Sequence, residues 1–478
     1  MTLATDRFAW RQHLEAAAWL AASVEQLLEG APPGRALAQE LLARTNTRLC
    51  DWLDHLVLAD DEALRARLAV LGFQPERAPC PPTDAVYVHS GAAFPRLVLR
   101  RTATAAPGAP LALALGVGDL HAFLMAQGVH TPTEGSPLGP YRQAGLWPAG
   151  RPTLWAVQRQ GYGGFLPSHT PPDAPARLLR ARERWATRQR RFADPRQGLE
   201  QTIALARAMV RELDADVAAW TVLAGERAYW QGRNRAAQAQ GTRQAALGLG
   251  WANHDHHTFR SSRAAFPLLI ELFQTLGFAL RERFYAGAEA GWGAQLMEQP
   301  SCRLTLFLDV DLTPDETDPD FAQEPLPLGH SLGTVGLWCA LHGESILEAG
   351  MHHLACRVDF EAAVAGLADW GVSTMPPFSN WPFLRQAFTV GERWAVAPAR
   401  LERLVAAGQL AAAQAQRLAV EGAVGSHLEL IQRADGYRGF NQAAVNEIIR
   451  RTDPPPGLTP GRPALHLPYP PEAPKKRL

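Results

Sequence analysis

The spacing of apolar and polar positions changes along the chain and divides it into segments. Residues 1–49 place alanine and leucine at helical spacing, which predicts N-terminal helices. From residue 50 to residue 175, short apolar runs of strand length alternate with helical patterns that end at a glycine, as at Gly72. Residues 249–452 repeat this order of strand, helix and further strands. The order of strand, helix and further strands is therefore expected four times in the chain, twice in each half. Such a recurrence indicates an internal repeat.

The segment between the two halves and the C-terminal end of the chain each have a composition of their own. Residues 176–248 are rich in alanine, arginine and glutamine and carry long helical patterns, which predict a helical insertion. Its eight arginines between Arg177 and Arg196 are expected to form a solvated helix face rather than a polyanion site. Residues 453–478 are proline-rich and are expected to be extended or disordered.

These segments together predict an α+β fold. Each half, 50–175 and 249–452, is expected to consist of paired βαβββ modules that form cupped, barrel-like sheets. The helical insertion is expected to join the two halves, so the chain has an N-terminal helical segment, two related halves, the insertion between them and a tail.

The overall composition narrows the classes of function. The chain has 478 residues, no net charge and an apolar fraction of 47%, so neither nucleic acid nor an anionic membrane surface is an expected partner. No apolar run approaches the roughly 20 residues that span a bilayer, and the N-terminal segment lacks the pattern of a secretory signal. The five cysteines are scattered without a CxxC pair, so a cytoplasmic location is expected.

One phrase occurs in both halves. Residues 153–166 read TLWAVQRQGYGGFL, and residues 427–442 read HLELIQRADGYRGFNQ. When the Gln-Arg pairs are aligned, Trp155 stands where the second half has Glu429. The repeat therefore predicts a duplicated backbone whose chemistry differs between the two copies.

Three strand segments of the second half carry candidate metal ligands: the cluster NHDHH at 253–257, the pair His352-His353, and Glu429. A carboxylate within an otherwise apolar strand is costly to bury without a partner, which favours a ligand role for Glu429. Two imidazoles and one carboxylate suit a ferrous ion, because they hold the metal and leave coordination positions open.

Strand geometry bears on the choice among the histidines. Side chains alternate between faces, which places His254 and His256 on one face and His257 on the other. Spacing alone leaves open which histidine of the first cluster, and which of His352 and His353, is the ligand.

The first half can also be compared with the second at the two strands that carry the candidate histidine ligands. Aligned on the Asp-His dipeptides, His55 matches His256; aligned on the aspartates at 119 and 359, Leu113 matches His353. The first half thus keeps one of three candidate ligands, and we expect it to hold no metal.

The second half resembles a known group of enzymes. The motifs that carry the resemblance are DHHTF at 255, GMHHLACRV at 350, MPPFSNWPFLRQAF at 375 and LELIQRADGYRGFNQAAVNEII at 428. They are similar to those of the vicinal oxygen chelate superfamily and, within it, of the 4-hydroxyphenylpyruvate dioxygenase type. In that family a strand that carries a Glu-(Ile/Leu)-Ile-Gln-Arg phrase supplies the carboxylate ligand. The resemblance covers residues 250–452 and implies Fe(II) ligands at His256, His353 and Glu429.

The resemblance also implies a reaction. The chain is expected to be a non-haem Fe(II)-dependent dioxygenase that takes a 2-oxo acid and dioxygen and decarboxylates its substrate oxidatively. Arg260 and Arg357 follow two of the candidate ligands by four residues on the same predicted strand faces, so each could bind a substrate carboxylate. His427 shares a face with Glu429 and is a candidate for substrate contact. A helix over residues 441–450 is expected to cover the pocket.

Other functions remain compatible with the sequence. An extradiol ring-cleaving dioxygenase would use the same ligand types in the second half. A 2-oxoadipate-type dioxygenase and decarboxylase is similar in size, but its histidine-glycine-alanine phrase is absent here. A third alternative is a binding protein that uses the same pocket without redox chemistry. The pattern does not name the substrate, and a homo-oligomer is compatible with it.

Overall fold

The computed structural model describes residues 10–147, 153–167, 170–288, 290–317, 320–327 and 331–441. The predicted tail (453–478) and, from residue 442 onward, the predicted closing helix (441–450) lie outside these ranges. Within them, no helix combines the length and the apolar character that a membrane span requires.

The described residues form helices in the N-terminal segment, in both halves and in the insertion. The helices are α1 (Leu14–Glu29), α2 (Pro32–Thr45), α3 (Glu62–Val70), α4 (Leu120–Ala126), α5 (Ala174–Ala186), α6 (Pro195–Leu213), α7 (Ala215–Gln231), α8 (Arg235–Ala245), α9 (Phe266–Thr275), α10 (Thr334–His342), α11 (Phe360–Ala368), α12 (Pro398–Ala406) and α13 (Ala412–Glu421). A π-helical turn spans Ser345–Ala349, just before a strand of the second half.

The strands belong to two sheets, one in each half. Those of the first half are β1 (Leu53–Ala59), β2 (Gln74–Glu76), β3 (Asp84–Val88), β4 (Arg96–Arg100), β5 (Pro110–Gly116), β6 (Tyr141–Leu146) and β7 (Leu154–Arg159). Those of the second half are β8 (His254–Arg260), β9 (Ala279–Tyr285), β10 (Trp292–Gln299), β11 (Leu304–Asp311), β12 (His353–Arg357), β13 (Ser379–Trp381), β14 (Leu384–Phe388), β15 (Glu392–Trp394) and β16 (Ala423–Arg433).

The strand order shows the same module repeated. The first sheet runs β2-β3-β4-β1-β5-β7-β6, and the second runs β13-β14-β16-β12-β8-β11-β10-β9, with β15 on β16. In every module the first strand lies parallel to the last: β1 to β4, β5 to β7, β8 to β11, and β12 to β16. Antiparallel pairs, β1 with β5 and β8 with β12, join the modules. The α+β fold of paired modules predicted from the repeat is therefore confirmed, with open sheets rather than closed barrels.

Helices cover one face of each sheet. Leucines of α1 to α4 pack with Leu56, Leu97 and Leu113 in the core of the first half. In the second half, α6, α7, α9 and α11 pack on a larger core that contains Leu306, Leu354 and alternate residues of the neighbouring strands. Burial of these apolar faces drives the sheets together with their helices. The opposite face of the second sheet carries both polar and apolar side chains, and α10 packs on part of it.

The repeated Gln-Arg phrase has the same structural task in both halves. The side-chain oxygen of Gln158 accepts a hydrogen bond from the backbone N–H of Leu120, at 3.1 Å, where α4 begins. Gln432 accepts from the backbone N–H of Phe360, at 2.8 Å, where α11 begins. Each glutamine thus satisfies a helix N–H that has no partner within its own helix.

The arginine of the phrase binds an aspartate on the first strand of the neighbouring module. Arg159 lies 2.7 Å from Asp54, and Arg433 lies 2.8 Å from Asp255. Both arginines also donate to backbone carbonyls of the glycine-rich segment that follows. The echo is therefore a duplicated set of buried polar contacts, which holds the last strand of each half against the first.

The glycine that precedes tyrosine in the phrase is required by the backbone. Gly161 and Gly436 have φ angles of 79° and 66°, in the left-handed region that favours glycine. A Cβ atom would collide with the backbone of Asp216 at the first position and with the ring of Phe94 at the second.

The helical insertion contains a buried charge cluster. Glu226, on α7, is fully buried and accepts hydrogen bonds from Arg188 at 2.8 Å, Arg190 at 2.9 Å and the indole N–H of Trp185 at 2.8 Å. The prediction that the arginines between 177 and 196 form a solvated face is therefore wrong for these two, because the segment after α5 folds back over α7.

The same arginines tie the insertion to the second half. Arg188 and Arg190 donate to the carbonyls of Ile346 and Leu347 in the π-helical turn, at 2.8 and 3.0 Å. Arg233 donates to the carbonyl of Ala349 at 2.7 Å. Because this turn leads into β12, the insertion fixes where that strand begins.

We expect replacement of the Glu226 carboxylate to destabilise the protein strongly. Glu226→Gln leaves two buried guanidinium groups without a counter-charge, which costs about 3 kcal/mol or more of the free energy of unfolding. Glu200 is the matched control, because it pairs with Arg196 at an exposed site, and Glu200→Gln should change the free energy by less than about 1 kcal/mol. Urea unfolding measures both, and equal stability of the two variants would contradict the assignment.

Candidate metal centre

The candidate ligands lie on the face of the second sheet that is opposite the larger, helix-covered core. On β12 the buried side chains of Leu354 and Cys356 belong to the helix-covered core, whereas His353 points to the other face. On β16 Leu428 and Leu430 join the same core and leave Glu429 beside His353. The strands β12 and β16 are parallel neighbours, so their polar residues meet on one surface.

Three side chains of separate strands converge at this surface. The Oε2 atom of Glu429 lies 3.1 Å from Nε2 of His256 and 3.2 Å from Nε2 of His353. Candidate ligand atoms of the three residues all lie within 4.8 Å of one another, and all three side chains are buried. Among the described residues, this is the one group of three or more His, Cys, Asp or Glu side chains with such geometry.

The other histidines of the first cluster turn away. Nε2 of His257 lies 3.0 Å from a guanidinium nitrogen of Arg227, in the helix-covered core. Alternation predicted that His254 shares the face of His256, but it lies on the other face. Its ring is 5.3 Å from that of His257. The pairing of β8 with β12 explains the difference, because three residue steps on β8 oppose two on β12. Such a bulge interrupts the alternation of side chains.

His352 is likewise separate from the converging group. Its Nδ1 atom lies 3.1 Å from Nδ1 of His353, and its ring packs edge-on against Trp338. Of the two clusters, it is therefore His256 and His353 that face Glu429.

Hydrogen bonds orient the imidazole of His256. Its Nδ1 atom lies 3.0 Å from a carboxylate oxygen of Asp255, which can only accept, so Nδ1 carries the hydrogen. Arg433 holds Asp255 in turn, at 2.8 Å. Nε2 is thereby directed toward Glu429, an arrangement that is typical of metal-binding histidines.

The carboxylate of Glu429 is oriented in a similar way. The side-chain amide of Gln386 donates to its Oε1 atom at 2.8 Å, and Ser379 donates to Gln386 at 3.0 Å. This leaves Oε2 for the two histidines. On the opposite side, the hydroxyl of Thr258 lies 2.8 Å from Nε2 of His353.

Burial acts against every charge at this site, yet two charges persist. The imidazoles of His256 and His353 outweigh burial and lower the pKa of Glu429 to about 2. The carboxylates of Glu429 and Asp255 likewise outweigh burial and raise the pKa of His256 to about 9. Burial prevails at His353, whose pKa falls to about 4. The proton of His256 thus occupies a place that a divalent cation could take, since metal ligands must be deprotonated.

The converging side chains line a small cavity of about 70 Å³ with largely aromatic walls. The aromatic residues in its wall are Phe284, Trp292, Phe307, Phe378, Phe388 and Phe440. The polar residues in its wall, besides the three candidate ligands, are Thr258, Asp309, Gln386 and Asn441. The cavity can therefore exclude water around the ligands while it offers a few polar contacts to a bound molecule.

Two of these polar residues, Asp309 and Gln386, were not predicted from the sequence, although a signal existed for Asp309. Asp309 is an acid within the apolar run LTLFLDVDL of β11, which is the same signal that singled out Glu429. Burial raises its pKa to about 7. Gln386 lies within one of the quoted motifs, but only the register of β14 on β16 shows that it reaches the carboxylate.

Arg260 lies behind this cavity rather than in its wall. Its side chain is buried, and its Nε atom is 3.8 Å from a carboxylate oxygen of Asp309. Its guanidinium also lies over the ring of Trp338, at 5.5 Å from the centroid. Contact with a molecule in the cavity would therefore pass through Asp309.

Arg357 and His427 are not brought into the cavity. Four residues along a strand correspond to about 13 Å, and this distance carries Arg357 past the site to Asp255, at 3.4 Å, where it lines a different cavity. Nδ1 of His427 forms a hydrogen bond with the carbonyl of Thr389 at 2.9 Å, and its ring packs edge-on against that of His352. Neither residue lines this cavity, so neither is placed to make the predicted contact with a substrate there.

The corresponding positions of the first half keep part of the arrangement. His55 contacts Asp54 at 2.7 Å, just as His256 contacts Asp255. Its ring packs edge-on against Phe165. With Leu113 and Trp155 at the other two positions, the first half retains the orienting carboxylate but offers one imidazole.

No protein-family model and no curated protein sequence matches the chain. A mutant of 4-hydroxymandelate synthase from Streptomyces coelicolor is 15% identical, with a TM-score of 0.28, over 84% of this chain and 98% of that one. The hydroxyglutarate synthase from Oryza sativa, solved with 2-oxoadipate, is 13% identical, with a TM-score of 0.33, over 52% and 93%. Methylmalonyl-CoA epimerase from Mycobacterium tuberculosis is 17% identical, with a TM-score of 0.22, over 38% and 87%. Similarities this distant assign neither a reaction nor a substrate to this chain.

We expect the Gln386 amide to act as a positioning group for Glu429. Gln386→Leu should weaken binding of a divalent metal by about tenfold or more, because residues that orient metal ligands commonly contribute that much. Gln323→Leu is the control, since Gln323 is exposed and bonds Asp320. Titration with Co(II), followed by its visible absorption, measures both affinities. Equal affinities in the two variants would show that Gln386 does not position the carboxylate.

Proposed function

We propose that the chain is a non-haem Fe(II)-dependent dioxygenase that acts on a 2-oxo acid with oxidative decarboxylation. The observation that carries this proposal is the convergence of two imidazole nitrogens and one carboxylate oxygen in a buried cavity. Sites of two histidines and one carboxylate with open positions are typical of non-haem Fe(II) oxygenases. The motif resemblance of the second half supports the same conclusion.

In this proposal the metal would be held by Nε2 of His256, Nε2 of His353 and the carboxylate of Glu429. Three protein ligands suit Fe(II), because they leave coordination positions free for small molecules. When bound, the ion would supply a Lewis acid for the 2-oxo acid and a place where dioxygen is reduced. Asp255 and Gln386 would keep the ligand atoms in place through the hydrogen bonds that they already make.

The remaining wall of the cavity would bind and orient the substrate. Rings such as Phe307, Phe388 and Phe440 would pack against its apolar part and exclude water from the ligand atoms. Asp309, with a pKa of about 7, could accept or donate a hydrogen bond to a polar group of the substrate. Arg260 would hold Asp309 in position from behind.

A ring-cleaving dioxygenase is the second candidate, and the aromatic wall is what favours it. A planar catechol would stack on the same rings, and the ligand types would be the same. The two candidates differ in the substrate that drives oxygen consumption.

We expect iron retention to depend on Glu429 and not on His55, the residue of the first half that matches His256. Glu429→Ala should lose stoichiometric Fe(II) after anaerobic reconstitution, because it removes one of three ligands. His55→Ala should retain iron at the wild-type level, because Leu113 and Trp155 stand at the other two ligand positions of the first half. Iron analysis after gel filtration measures both. A Glu429→Ala protein that keeps its iron would exclude this ligand set.

Oxygen uptake distinguishes the candidate substrates. The iron-loaded protein should consume oxygen with at least one member of a panel of aromatic and aliphatic 2-oxo acids and should release carbon dioxide. A matched catechol panel should give no uptake. Uptake with catechols alone would replace the proposed reaction by ring cleavage, and iron binding without uptake on either panel would favour a binding protein.

A further inference from the structure

A second and larger cavity lies between the two halves of the chain. Its volume is about 340 Å³, which is within the range of small-molecule sites. One wall comes from β1 and the segment around Phe94 in the first half. The other comes from β8 and the turn between β10 and β11 in the second half.

The described part of the cavity wall carries an excess of positive charge. Seven arginines and five carboxylates line it among the described residues. Each of the five carboxylates already has an arginine partner within 2.8 Å. The acidic groups of the wall are therefore neutralised. The excess positive charge resides in the wall arginines that these ion pairs do not use.

Arg303 is the first of these arginines. Its guanidinium donates to backbone carbonyls, of Asp54 at 3.1 Å and of Phe94 at 3.5 Å, and has no carboxylate partner among the described residues. The side chain is accessible from the cavity, yet enough protein surrounds it that burial and the nearby Arg96 lower its pKa to about 10. Its φ angle of 56° is one that glycine or asparagine would adopt at lower cost.

Arg357 is the second. Its side chain is one-third exposed (33%), and its contact with Asp255 is long, at 3.4 Å. Asp255 already accepts two hydrogen bonds from Arg433, at 2.8 and 3.0 Å, and one from His256 at 3.0 Å. Arg357 therefore makes one long contact with the shared carboxylate, which leaves the other donors of its guanidinium to be satisfied elsewhere.

We propose that the cavity between the halves is a binding site for a small organic anion, whose carboxylate or phosphate group is held by Arg303 and Arg357. Planar guanidinium groups bind either oxyanion through paired hydrogen bonds. Apolar wall residues, Trp52, Phe94 and Phe440 among them, would contact the carbon skeleton of the ligand. This site shares Phe440 with the wall of the cavity at the proposed metal centre, but its charged groups are different and it does not require the metal.

Anion titration of the full chain tests the site. Sodium phosphate and sodium malonate are titrated separately by calorimetry at a constant ionic strength set with chloride. At least one of them should bind saturably at a single site. Binding of phosphate alone points to a phosphorylated ligand, and binding of malonate alone points to a carboxylic acid. The proposal fails if neither anion binds the wild-type chain.

Variants locate the bound anion. Arg303→Met and Arg357→Met should each weaken binding by about tenfold or more, since each removes hydrogen bonds between charged groups. Arg196→Met is the control, because Arg196 is 70% exposed and pairs with Glu200 along a helix, and it should bind as the wild type does. Unchanged binding in the Arg303→Met and Arg357→Met variants overturns the proposal.

A further variant separates this site from the proposed metal centre. Glu429→Ala should leave anion binding unchanged, because Glu429 lines the other cavity. If Glu429→Ala abolishes binding while Arg303→Met preserves it, the anion occupies the metal cavity and the second site does not exist. A thermal unfolding curve for each variant confirms that the protein tested is folded.

Discussion

The second half is organised around one buried carboxylate. Glu429 lies on an apolar strand, almost without solvent access, where an uncompensated charge would cost several kcal/mol. Two imidazoles and one amide surround its oxygens. The charge is thus tolerated only because three other strands each bring a polar group to the same point. This requirement explains why the strands around Glu429 must keep their register.

The contacts that hold those strands are not specific to the site, because both halves have them. An Arg-Asp pair and a glutamine at a helix start occur at matching places in both sheets. In the second half the same aspartate also orients His256. The helical insertion adds a contact specific to that half, since its arginines bind the turn that leads to His353. A common frame therefore serves two halves, and extra contacts in one of them position the candidate ligands.

Much of this arrangement could be predicted from sequence because it depends on local patterns and on an internal comparison. The repeated phrase and the replacement of Trp155 by Glu429 pointed to the carboxylate without any structure. Other features depend on tertiary structure. A bulge in β8 moved His254 to the far side of the sheet, and strand length carried Arg357 into a different cavity. The burial of Arg188 and Arg190 on Glu226 joins residues about 40 positions apart, so helical periodicity gave no sign of it.

The central claim is that His256, His353 and Glu429 together hold one ferrous ion. An anaerobic crystal structure of the iron-loaded protein, with diffraction data collected on both sides of the iron absorption edge, tests it most directly. We expect a single strong anomalous peak in the aromatic-lined cavity, within bonding distance of the two Nε2 atoms and the Glu429 carboxylate. A peak elsewhere in the molecule, or an empty cavity in crystals of protein that contains stoichiometric iron, would contradict it.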